Sequence, residues 1–372
     1  MNLSPNLLSA LKGERPLPAW MYLLYPASAL YGMGAGLNAW AYTSGLVKPK
    51  RLPCKVISVG NITAGGTGKT PMVIEIATML TERGVKTAVL TRGYKGASEG
   101  RVCVVSDGRP SSDGRGNVLP ASEAGDEPVL IARSLLAPGV PVVMGSDRYR
   151  AGMLAWERFH PEAVILDDGF QHLRLHRDLN ILLMDAAHPF GNGHTIPMGY
   201  LRGPKKGAAG ADLIVFTGAG NVPSEALEEI KSYALTIGSV LNAKYFPISI
   251  YNIKTHEERP LETLTGRGVF AFCGIANPGS FSLILHGVNV KITKSKQYVD
   301  HHSYTSGDVA YLLEEARKSG AEILLTTEKD AVKLEGLLPE NPETYALKAG
   351  LKIDDAGPLE AALNSLFEGG DE

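Results

Sequence analysis

A glycine-rich segment near the start of the chain constrains its fold more than any other feature. Val56 to Gly60 is a run of strand-forming residues, and it leads without a break into Asn61-Ile-Thr-Ala-Gly-Gly-Thr-Gly-Lys-Thr70. A strand, a glycine-rich turn and a helix in this order direct several backbone N–H groups, the positive end of the helix and one lysine at a single anion. The segment therefore predicts a phosphate-binding loop, followed by an amphipathic helix over residues 72–83.

The loop departs from the usual phosphate-loop spacing at one position. The pattern asks for glycine five residues before Gly68, where this chain has Thr63, and two neighbouring glycines supply the flexibility instead. A plain turn that needs positive φ angles is the alternative, but such a turn does not require Lys69-Thr70 at the start of a helix. The residues predicted to bind nucleotide phosphate are Thr63, Ala64, Gly65, Gly66, Thr67, Gly68, Lys69 and Thr70.

Short apolar runs alternate with helical stretches along the chain. The runs lie at residues 56–60, 87–94, 140–144, 163–166, 180–184 and 213–216. Strands that are hydrophobic on both faces and alternate with helices are typical of a doubly wound, mostly parallel α/β sheet, here of the phosphate-loop NTPase type. A second, smaller α/β unit begins near residue 250, with strands predicted at 269–273 and 323–326. Ligands of such sheets bind at the carboxyl ends of the strands.

The N-terminal segment has an unusual composition. Residues 16–47 carry no charged side chain and include several aromatic and aliphatic residues. Pro18, Pro26 and Asn38 interrupt the roughly 20 apolar residues that a spanning helix needs. Aromatic residues suit the headgroup level of a membrane, and basic residues flank the segment, which favours a helix lying at the lipid interface. The alternative is a pair of helices packed on the protein's own core.

The net charge and the cysteines limit the kinds of partner and the kinds of metal or disulfide site that this chain is expected to have. A formal net charge of -2 gives no general attraction to nucleic acid, so we expect no nucleic-acid partner. Cys54, Cys103 and Cys273 lie far apart and form no CxxC pair, which argues against a structural zinc site and a disulfide framework. We therefore expect a reducing, cytoplasmic environment.

Two adjacent carboxylates end an apolar strand in the segment Ala163-Val-Ile-Leu-Asp-Asp168. The end of such a strand is where a nucleotide-binding sheet places the aspartate that holds Mg²⁺. Because side chains alternate across a strand, Asp167 and Asp168 point in different directions unless the strand has already ended. We predict that one serves the metal and the other a neighbour or the substrate. An acidic turn after a strand is the alternative.

Asp126 and Glu127 open a helix predicted over residues 129–136, and ordinary helix capping explains them as well as chemistry does. On the functional interpretation, Asp126 accepts a proton from an attacking hydroxyl. Asp300-His301-His302 precedes a helix in the second unit. A histidine there would orient a carboxylate or share its proton, whereas the alternative is an exposed loop.

Basic residues follow several predicted strands, where an anionic substrate would bind. They are Arg92, Arg148, Arg150, Arg174, Arg177, Arg202, Lys205 and Lys206. A solvated surface explains scattered basic residues equally well. Thr327 and Asp330 are spaced as a capping box, and Lys329 between them is a candidate phosphate contact.

Together these segments resemble the tetraacyldisaccharide 4′-kinase family, the lipid A 4′-kinases of Gram-negative bacteria. The resemblance spans nearly the whole chain in the right order. The segments that carry it are Ser58–Pro71, Thr91-Arg-Gly-Tyr94, Gly125-Asp-Glu-Pro128, Leu166-Asp-Asp-Gly-Phe-Gln-His172, Cys273-Gly-Ile-Ala-Asn-Pro278, Asp300-His301 and Thr326-Thr-Glu-Lys-Asp330.

The resemblance implies a reaction and a place in the cell. Family members use ATP and Mg²⁺ to phosphorylate the 4′ hydroxyl of an acylated glucosamine disaccharide 1-phosphate. We accordingly expect a peripheral or monotopic protein on the cytoplasmic face of the inner membrane. The expected parts are a membrane-associated helical segment over residues 1–50, a phosphate-loop kinase domain over 51–245 and a C-terminal α/β domain over 246–372 that closes over the active site.

The resemblance also implies roles for individual residues. Lys69 would contact the β and γ phosphates, Asp126 would be the catalytic base, and His301 would tune it. The expected metal ligands are Thr70, Asp167 and Asp168. The expected substrate contacts are Asn61, Arg92, Glu127, Arg148, His172 and Arg202.

One departure from the family pattern is Gly203, where members often carry glutamate in Leu-Arg-Glu-Pro. If that carboxylate positions metal or sugar, Glu127 or His194 would be its substitute. Competing functions are a phosphate-loop ligase, a nucleotide-dependent switch and a non-catalytic membrane-associated scaffold that binds nucleotide. The chain lacks a guanine-reading Asn-Lys-x-Asp element, which lowers the case for the switch.

Overall fold

The fold is described from a computed structural model, which covers residues 5–93, 100–111, 116–218, 222–233, 239–339 and 341–368. Tyr94, which belongs to one of the motifs above, lies outside these residues.

Thirteen strands of the described residues form one sheet. They are β1 (Lys55–Gly60), β2 (Thr87–Thr91), β3 (Cys103–Ser106), β4 (Val142–Met144), β5 (Ala163–Asp167), β6 (Leu179–Asp185), β7 (Leu213–Thr217), β8 (Ser239–Asn252), β9 (Glu258–Arg259), β10 (Gly268–Cys273), β11 (Lys291–Gln297), β12 (Ile323–Thr327) and β13 (Glu343–Ile353).

The α-helices connect these strands and extend to both ends of the described chain. They are α1 (Pro5–Lys12), α2 (Tyr25–Thr43), α3 (Lys69–Glu82), α4 (Ala121–Ala124), α5 (Asp126–Ser134), α6 (Arg148–Phe159), α7 (Ser224–Tyr233), α8 (Pro278–Gly287), α9 (Ser306–Ser319), α10 (Glu328–Leu334) and α11 (Gly357–Ser365). Short 3₁₀ helices cover Ala19–Leu24, Lys205–Gly210 and Leu261–Leu264.

The strand order is β11-β10-β12-β13-β8-β7-β6-β1-β5-β2-β4-β3, and β9 pairs with β8. The pairs are parallel except for those that β8 makes with β9 and β13, and that of β3 with β4. The predicted mostly parallel α/β sheet is thereby confirmed. β1 lies between β5 and β6, with Val59 directly beside Asp167. The ends of the glycine-loop strand and of the two-aspartate strand are therefore neighbours.

Helices cover both faces of the sheet because successive residues of each strand point to opposite sides. On one face, Met72 and Ile76 of α3 pack against Ile57 and Val59 of β1 in one buried cluster. On the other face, Ala151 and Ala155 of α6 lie in a cluster with Val56. Because helices pack on both faces, the strands are apolar along their length. The ends of the strands are left accessible to ligands.

One strand links the two halves of the sheet. The first residues of β8 pair in parallel with β7, and residues 243–252 pair antiparallel with β13. The boundary predicted between residues 245 and 246 thus falls inside β8. The division of the chain into a kinase domain and a closing domain stays a prediction.

The N-terminal helix α2 is docked on a loop of the sheet by a face of small and polar residues. Ser28 is buried, and its Oγ donates to the Thr195 carbonyl at 2.8 Å, while Thr195 Oγ1 lies 2.7 Å from the Ser28 carbonyl. Exposed residues on and around the helix include Trp20, Leu23, Leu30, Met33, Leu37, Trp40 and Leu46. Among helices of the described residues, none has the length and apolar character needed to cross a membrane.

Candidate active site

The glycine-rich segment forms a loop between β1 and α3. Gly68 has a φ of 81° and Gly65 a φ of 121°, values that favour glycine. Asn61 is buried, and its amide donates to Thr67 Oγ1 at 3.0 Å and to the Gly65 carbonyl at 3.3 Å. These bonds hold the loop on its buried side, while Gly65 and Gly66 are exposed to solvent. The loop therefore presents backbone to an incoming ligand.

Thr63 needs no glycine because it sits in an extended pairing and has no positive φ. It forms a bridge with Leu201, flanked by hydrogen bonds from Ala64 N to the Tyr200 carbonyl at 2.7 Å and from Arg202 N to the Ile62 carbonyl at 2.8 Å. The loop before residue 204 is thereby part of the wall of the glycine loop. This pairing brings Arg202 to the site.

Asp168 lies between two cations at the edge of the glycine loop. Its carboxylate accepts from Arg202 Nη1 at 2.8 and 3.0 Å, and Lys69 Nζ lies 3.8 Å away. Burial opposes ionisation of Asp168, but the charges of Lys69 and Arg202 outweigh it and lower the pKa of this carboxyl. Its φ of 54° shows that the chain has left β5 and turned at Asp168, so strand alternation does not set the direction of this side chain, and the two carboxylates are distinguished by their partners instead.

Asp167 is buried beside Arg148. Arg148 Nη2 donates to the Asp167 backbone carbonyl at 3.1 Å, and Nη1 donates to the Gly145 carbonyl at 2.8 Å. Burial, with the nearby carboxylates Glu127 and Asp168, raises the pKa of Asp167. Its Oδ1 is buried and makes no hydrogen bond within the described residues. A buried, unpaired carboxylate oxygen is a place that a cation would satisfy.

The donor set at this edge fits Mg²⁺ held partly by phosphate. No group of three or more His, Cys, Asp or Glu side chains in the described part of the chain is arranged to hold a metal by itself. Mg²⁺ in kinase sites is bound by one or two carboxylates together with phosphate oxygens and water, so a complete protein cage is not required. Asp167 fits this role better than Asp168, because Asp168 is already paired with Arg202 and Lys69.

A second cluster joins residues from the two halves of the sheet. Asp126 is the first residue of α5, and its Oδ2 lies 3.2 Å from His301 Nδ1 in the loop after β11. Asp126 is buried, and burial opposes its ionisation. The hydrogen bond with His301 and the charge of Lys329 outweigh that effect and lower its pKa to about 2. Asp126 is therefore a carboxylate at neutral pH.

Asp126 is not a capping residue of the usual kind. Its Oδ1 accepts from the adjacent Glu127 N at 3.1 Å, and Gly125 in the N-cap position makes no side-chain cap. The structure thus pairs Asp126 with His301 across 175 residues of sequence.

Lys329 lies in the site and has partners there that its sequence position does not specify. Its Nζ lies 2.8 Å from Glu127 Oε1 and 3.3 Å from His301 Nε2, and a contact with phosphate stays a prediction. Glu127 in turn acts electrostatically on Asp167, so the two clusters are neighbours. The capping pattern positions Lys329, since Thr327 Oγ1 accepts from Asp330 N at 3.2 Å at the start of α10. That pattern locates the helix start but not the side-chain partners.

The other predicted substrate contacts lie around Arg148. Arg92 is exposed, and its charge acts on Arg148. Burial and the charge of Arg148 lower the pKa of His172 to about 4, so its ring is neutral at pH 7. Lys205, by contrast, pairs with Glu229 at 2.9 Å.

Gly203 faces helix α2, and a Cβ there would meet Ala35 Cβ at 3.7 Å. Of its two suggested substitutes, His194 makes an edge contact with the ring of Tyr25 at 6.2 Å, whereas Glu127 acts on Asp167. Glu127 is therefore better placed than His194 to take the role of the missing glutamate in positioning metal or sugar.

Comparison with known proteins gives consistent matches along the chain. A family model described as tetraacyldisaccharide-1-P 4′-kinase matches residues 20–368. A tetraacyldisaccharide 4′-kinase of Geobacter sulfurreducens is 44% identical over 345 residues, which are 93% of this chain and 93% of that protein. One of Pelobacter propionicus is 42% identical over 366 residues, 97% of each chain. A crystal structure of LpxK from Aquifex aeolicus in complex with ATP has a TM-score of 0.72 and 33% identity, and the match covers 94% of this chain and 99% of that one.

Proposed function

We propose a function from the premise that this chain belongs to the tetraacyldisaccharide-1-P 4′-kinase family, as the resemblance of its motifs predicted. It is an enzyme that uses ATP, with Mg²⁺ as cofactor, to phosphorylate the 4′ hydroxyl of an acylated glucosamine disaccharide 1-phosphate in lipid A biosynthesis. Family membership sets aside the ligase and the nucleotide-dependent switch. Each step of that reaction can be assigned to particular residues of this chain.

One observation supports the site assignment above all. The Asp126–His301 pair and the Lys69–Asp168–Arg202 group are contributed by different segments, yet Glu127 connects them. Glu127 contacts Lys329, which lies beside His301, and it acts electrostatically on Asp167, the neighbour of Asp168. A base, a phosphate-binding lysine and metal-binding carboxylates at one edge are the parts that phosphoryl transfer needs.

The glycine loop of residues 63–70 holds the phosphates of ATP. Its exposed glycine backbone and the start of α3 favour an anion there. Lys69 Nζ is placed beside the loop by Asp168 and by the Gly65 carbonyl 3.5 Å away. Thr70 and Asp167 hold Mg²⁺, with Asp168 beside them. The ion, when bound, neutralises charge on the phosphates.

Asp126 accepts the proton of the 4′ hydroxyl as that oxygen attacks. It is suited to this because it is ionised at neutral pH and is oriented by His301. Arg92, Arg148, His172 and Arg202 surround the edge where an anionic sugar phosphate would lie. Since in-line transfer depends mostly on positioning and charge neutralisation, the three arginines supply much of the stabilisation.

The N-terminal segment places the enzyme on a lipid surface. Trp20, Leu30 and Leu37 expose 55%, 67% and 62% of their surface, respectively, although they belong to a folded helical region. Such an apolar surface of several large side chains favours insertion into a membrane interface. This is consistent with a peripheral or monotopic enzyme on the cytoplasmic face of the inner membrane of a Gram-negative bacterium.

The C-terminal half, residues 246–372, would close over the bound substrates. Contacts that cross between the halves support this: Asp126 with His301, Glu127 with Lys329, and Arg133 Nη2 with Glu335 Oε2 at 2.8 Å. Closure would then cover a site in which His301 already lies 3.2 Å from the base Asp126.

The reaction is tested with purified protein in detergent. The protein is incubated with γ-labelled ATP, Mg²⁺ and the acylated disaccharide 1-phosphate, and label is measured in the lipid fraction. We expect labelled lipid from the wild type and loss of most turnover in Lys69→Ala. Lys86→Ala, which removes an exposed lysine at the opposite ends of the strands, is the matched control and keeps its activity. Absence of labelled lipid from folded, ATP-binding wild type would contradict the function.

A further inference from the structure

Lys329 contacts side chains from two other segments of the site. Its Nζ lies 2.8 Å from Glu127 Oε1, 3.7 Å from Asp300 Oδ1 and 3.3 Å from His301 Nε2. Burial lowers the pKa of a lysine, but the carboxylates of Glu127 and Asp300 outweigh it and raise the pKa of Lys329. The side chain is therefore an ammonium ion at neutral pH.

The contact with Lys329 determines which ring nitrogen of His301 carries hydrogen. An ammonium group has three donors and no acceptor, so His301 Nε2 meets it with its lone pair. A neutral imidazole with a bare Nε2 carries its hydrogen on Nδ1, which faces Asp126 Oδ2 at 3.2 Å. Nδ1–H therefore donates to the carboxylate of Asp126.

A carboxylate competes with Lys329 for the same ring nitrogen. Asp300 Oδ2 lies 3.9 Å from His301 Nε2 and would favour hydrogen on Nε2. That separation is beyond hydrogen-bond length, whereas the Lys329 contact is within 3.5 Å. Besides Asp126 itself, four charged groups surround the Asp126–His301 pair. They are Glu127, Asp300, Lys329 and Lys333. Lys329 is the cation of this group that contacts Nε2.

We propose that Lys329 is a positioning residue that fixes His301 as the neutral Nδ1–H tautomer and so keeps Asp126 in its proton-accepting form. The inference rests on the proposed function in one respect, since it takes Asp126 as the group that receives the hydroxyl proton. With hydrogen on Nε2 instead, the Nδ1 lone pair would face the Asp126 carboxylate and repel it. Lys329 thus acts on the reaction through His301.

The tautomer is read directly by nitrogen NMR of the full-length protein labelled with ¹⁵N in its histidine rings. His301 is assigned by comparison with His301→Gln. We expect the wild type at neutral pH to show the neutral Nδ1–H pattern, and this measurement needs no folded lysine variant. An Nε2–H or doubly protonated His301 in the wild type would overturn the proposal, whatever the activity.

Variants separate Lys329 from its neighbours. In Lys329→Met we expect His301 to change to a mixed or charged pattern, and in Lys329→Arg, which keeps a donor, to retain the wild-type pattern. Glu127→Gln is the matched control: it removes the ion pair at 2.8 Å but leaves the lysine donor, so the His301 pattern should persist. If Lys329→Met, folded and binding ATP, leaves His301 unchanged, or if Glu127→Gln alters it as much, Lys329 does not set the tautomer.

Turnover gives an independent measurement. We expect kcat of Lys329→Met to fall by about 10- to 100-fold, as for a base that is retained but less well positioned, with KM for ATP changed less than about twofold and with recovery in Lys329→Arg. An unchanged kcat together with an altered His301 pattern would overturn the link between tautomer and catalysis. A wild type with the expected tautomer and no lipid product would instead contradict the proposed function alone.

Discussion

Replacing Asp126 with asparagine tests the electrostatics of the site through protein stability. The native environment lowers the pKa of Asp126 from 3.8 to about 2, and each tenfold change in ionisation is worth about 1.4 kcal/mol. Ionisation of Asp126 therefore stabilises the folded protein by about 2 kcal/mol at neutral pH. Since the Asp126 side chain is only 10% exposed, solvent screening removes little of this. Asp126→Asn, which resembles the protonated form, should lose this amount.

The pH dependence has a definite sign. Because the folded pKa is depressed, the stabilisation is fully present above the unfolded pKa and is lost as the pH falls through the folded pKa. The difference between wild type and Asp126→Asn should therefore be constant from pH 8 to about pH 5 and fall to about half by pH 3.

Urea unfolding at each pH, followed by circular dichroism, measures the free energy of unfolding of both proteins. Asp354→Asn is the control, because Asp354 is 50% exposed and pairs with Lys244 only at 3.7 Å, so its loss should cost less than about 0.5 kcal/mol. Equal stability of wild type and Asp126→Asn at pH 7 would refute this electrostatic account, and so would a difference that grows as the pH falls. Turnover of the variant should drop by about 100-fold or more, with ATP affinity retained.

Two further changes test the loop and the N-terminal surface. Gly60→Ala should cost about 3 kcal/mol in the free energy of unfolding, because its Cβ would come within 2.6 Å of the Phe170 backbone nitrogen. An unchanged urea unfolding curve would show that the end of β1 accommodates the added methyl group. Changing both Leu30 and Leu37 to aspartate should lower binding to phosphatidylglycerol-containing vesicles by about 100-fold or more in flotation, whereas the same change at Leu283, which is also exposed, should not. Equal flotation of the double variant and the wild type would rule out this membrane surface.

Elements with strong local signals could be predicted from the sequence. Helices α6 (148–159) and α9 (306–319) have such signals at their starts, because each begins with a side-chain cap: Asp147 accepts from Arg150 N, and Thr305 forms a capping box with Asp308. Strands β8, β9, β11 and β13 were not predicted. β11 has the sequence Lys-Ile-Thr-Lys-Ser-Lys-Gln, and lysines of this kind protect an exposed sheet edge but hide the strand pattern.

The site could be predicted only as separate pieces from local patterns. The glycine loop and Asp167-Asp168 were located by strand ends, which topology brings together as neighbours in the sheet. The Asp126–His301 pairing came from the resemblance to a family, since local spacing left capping and proton transfer both open for Asp126, and an exposed loop and a carboxylate partner both open for His301. The Lys329 contacts depend on how α10 meets α5, which neither sequence pattern nor capping chemistry specifies.

Helix α2 reverses the usual arrangement of a surface helix, and this supports the proposed membrane surface independently of its composition. A helix of a soluble protein turns its large apolar residues inward. In α2 the inward contacts are made by Ser28 with Thr195, by Gly32 close to the same threonine and by the Tyr31 hydroxyl with the Arg202 carbonyl at 3.2 Å, while Leu30 and Leu37 face outward. Because Arg202 also holds Asp168, the inward face of α2 is joined to the phosphate site through Arg202. On the proposed function, a lipid surface that covers the outward residues of α2 would therefore lie one helix away from the segment that carries Arg202, which suits an enzyme whose substrate is acylated.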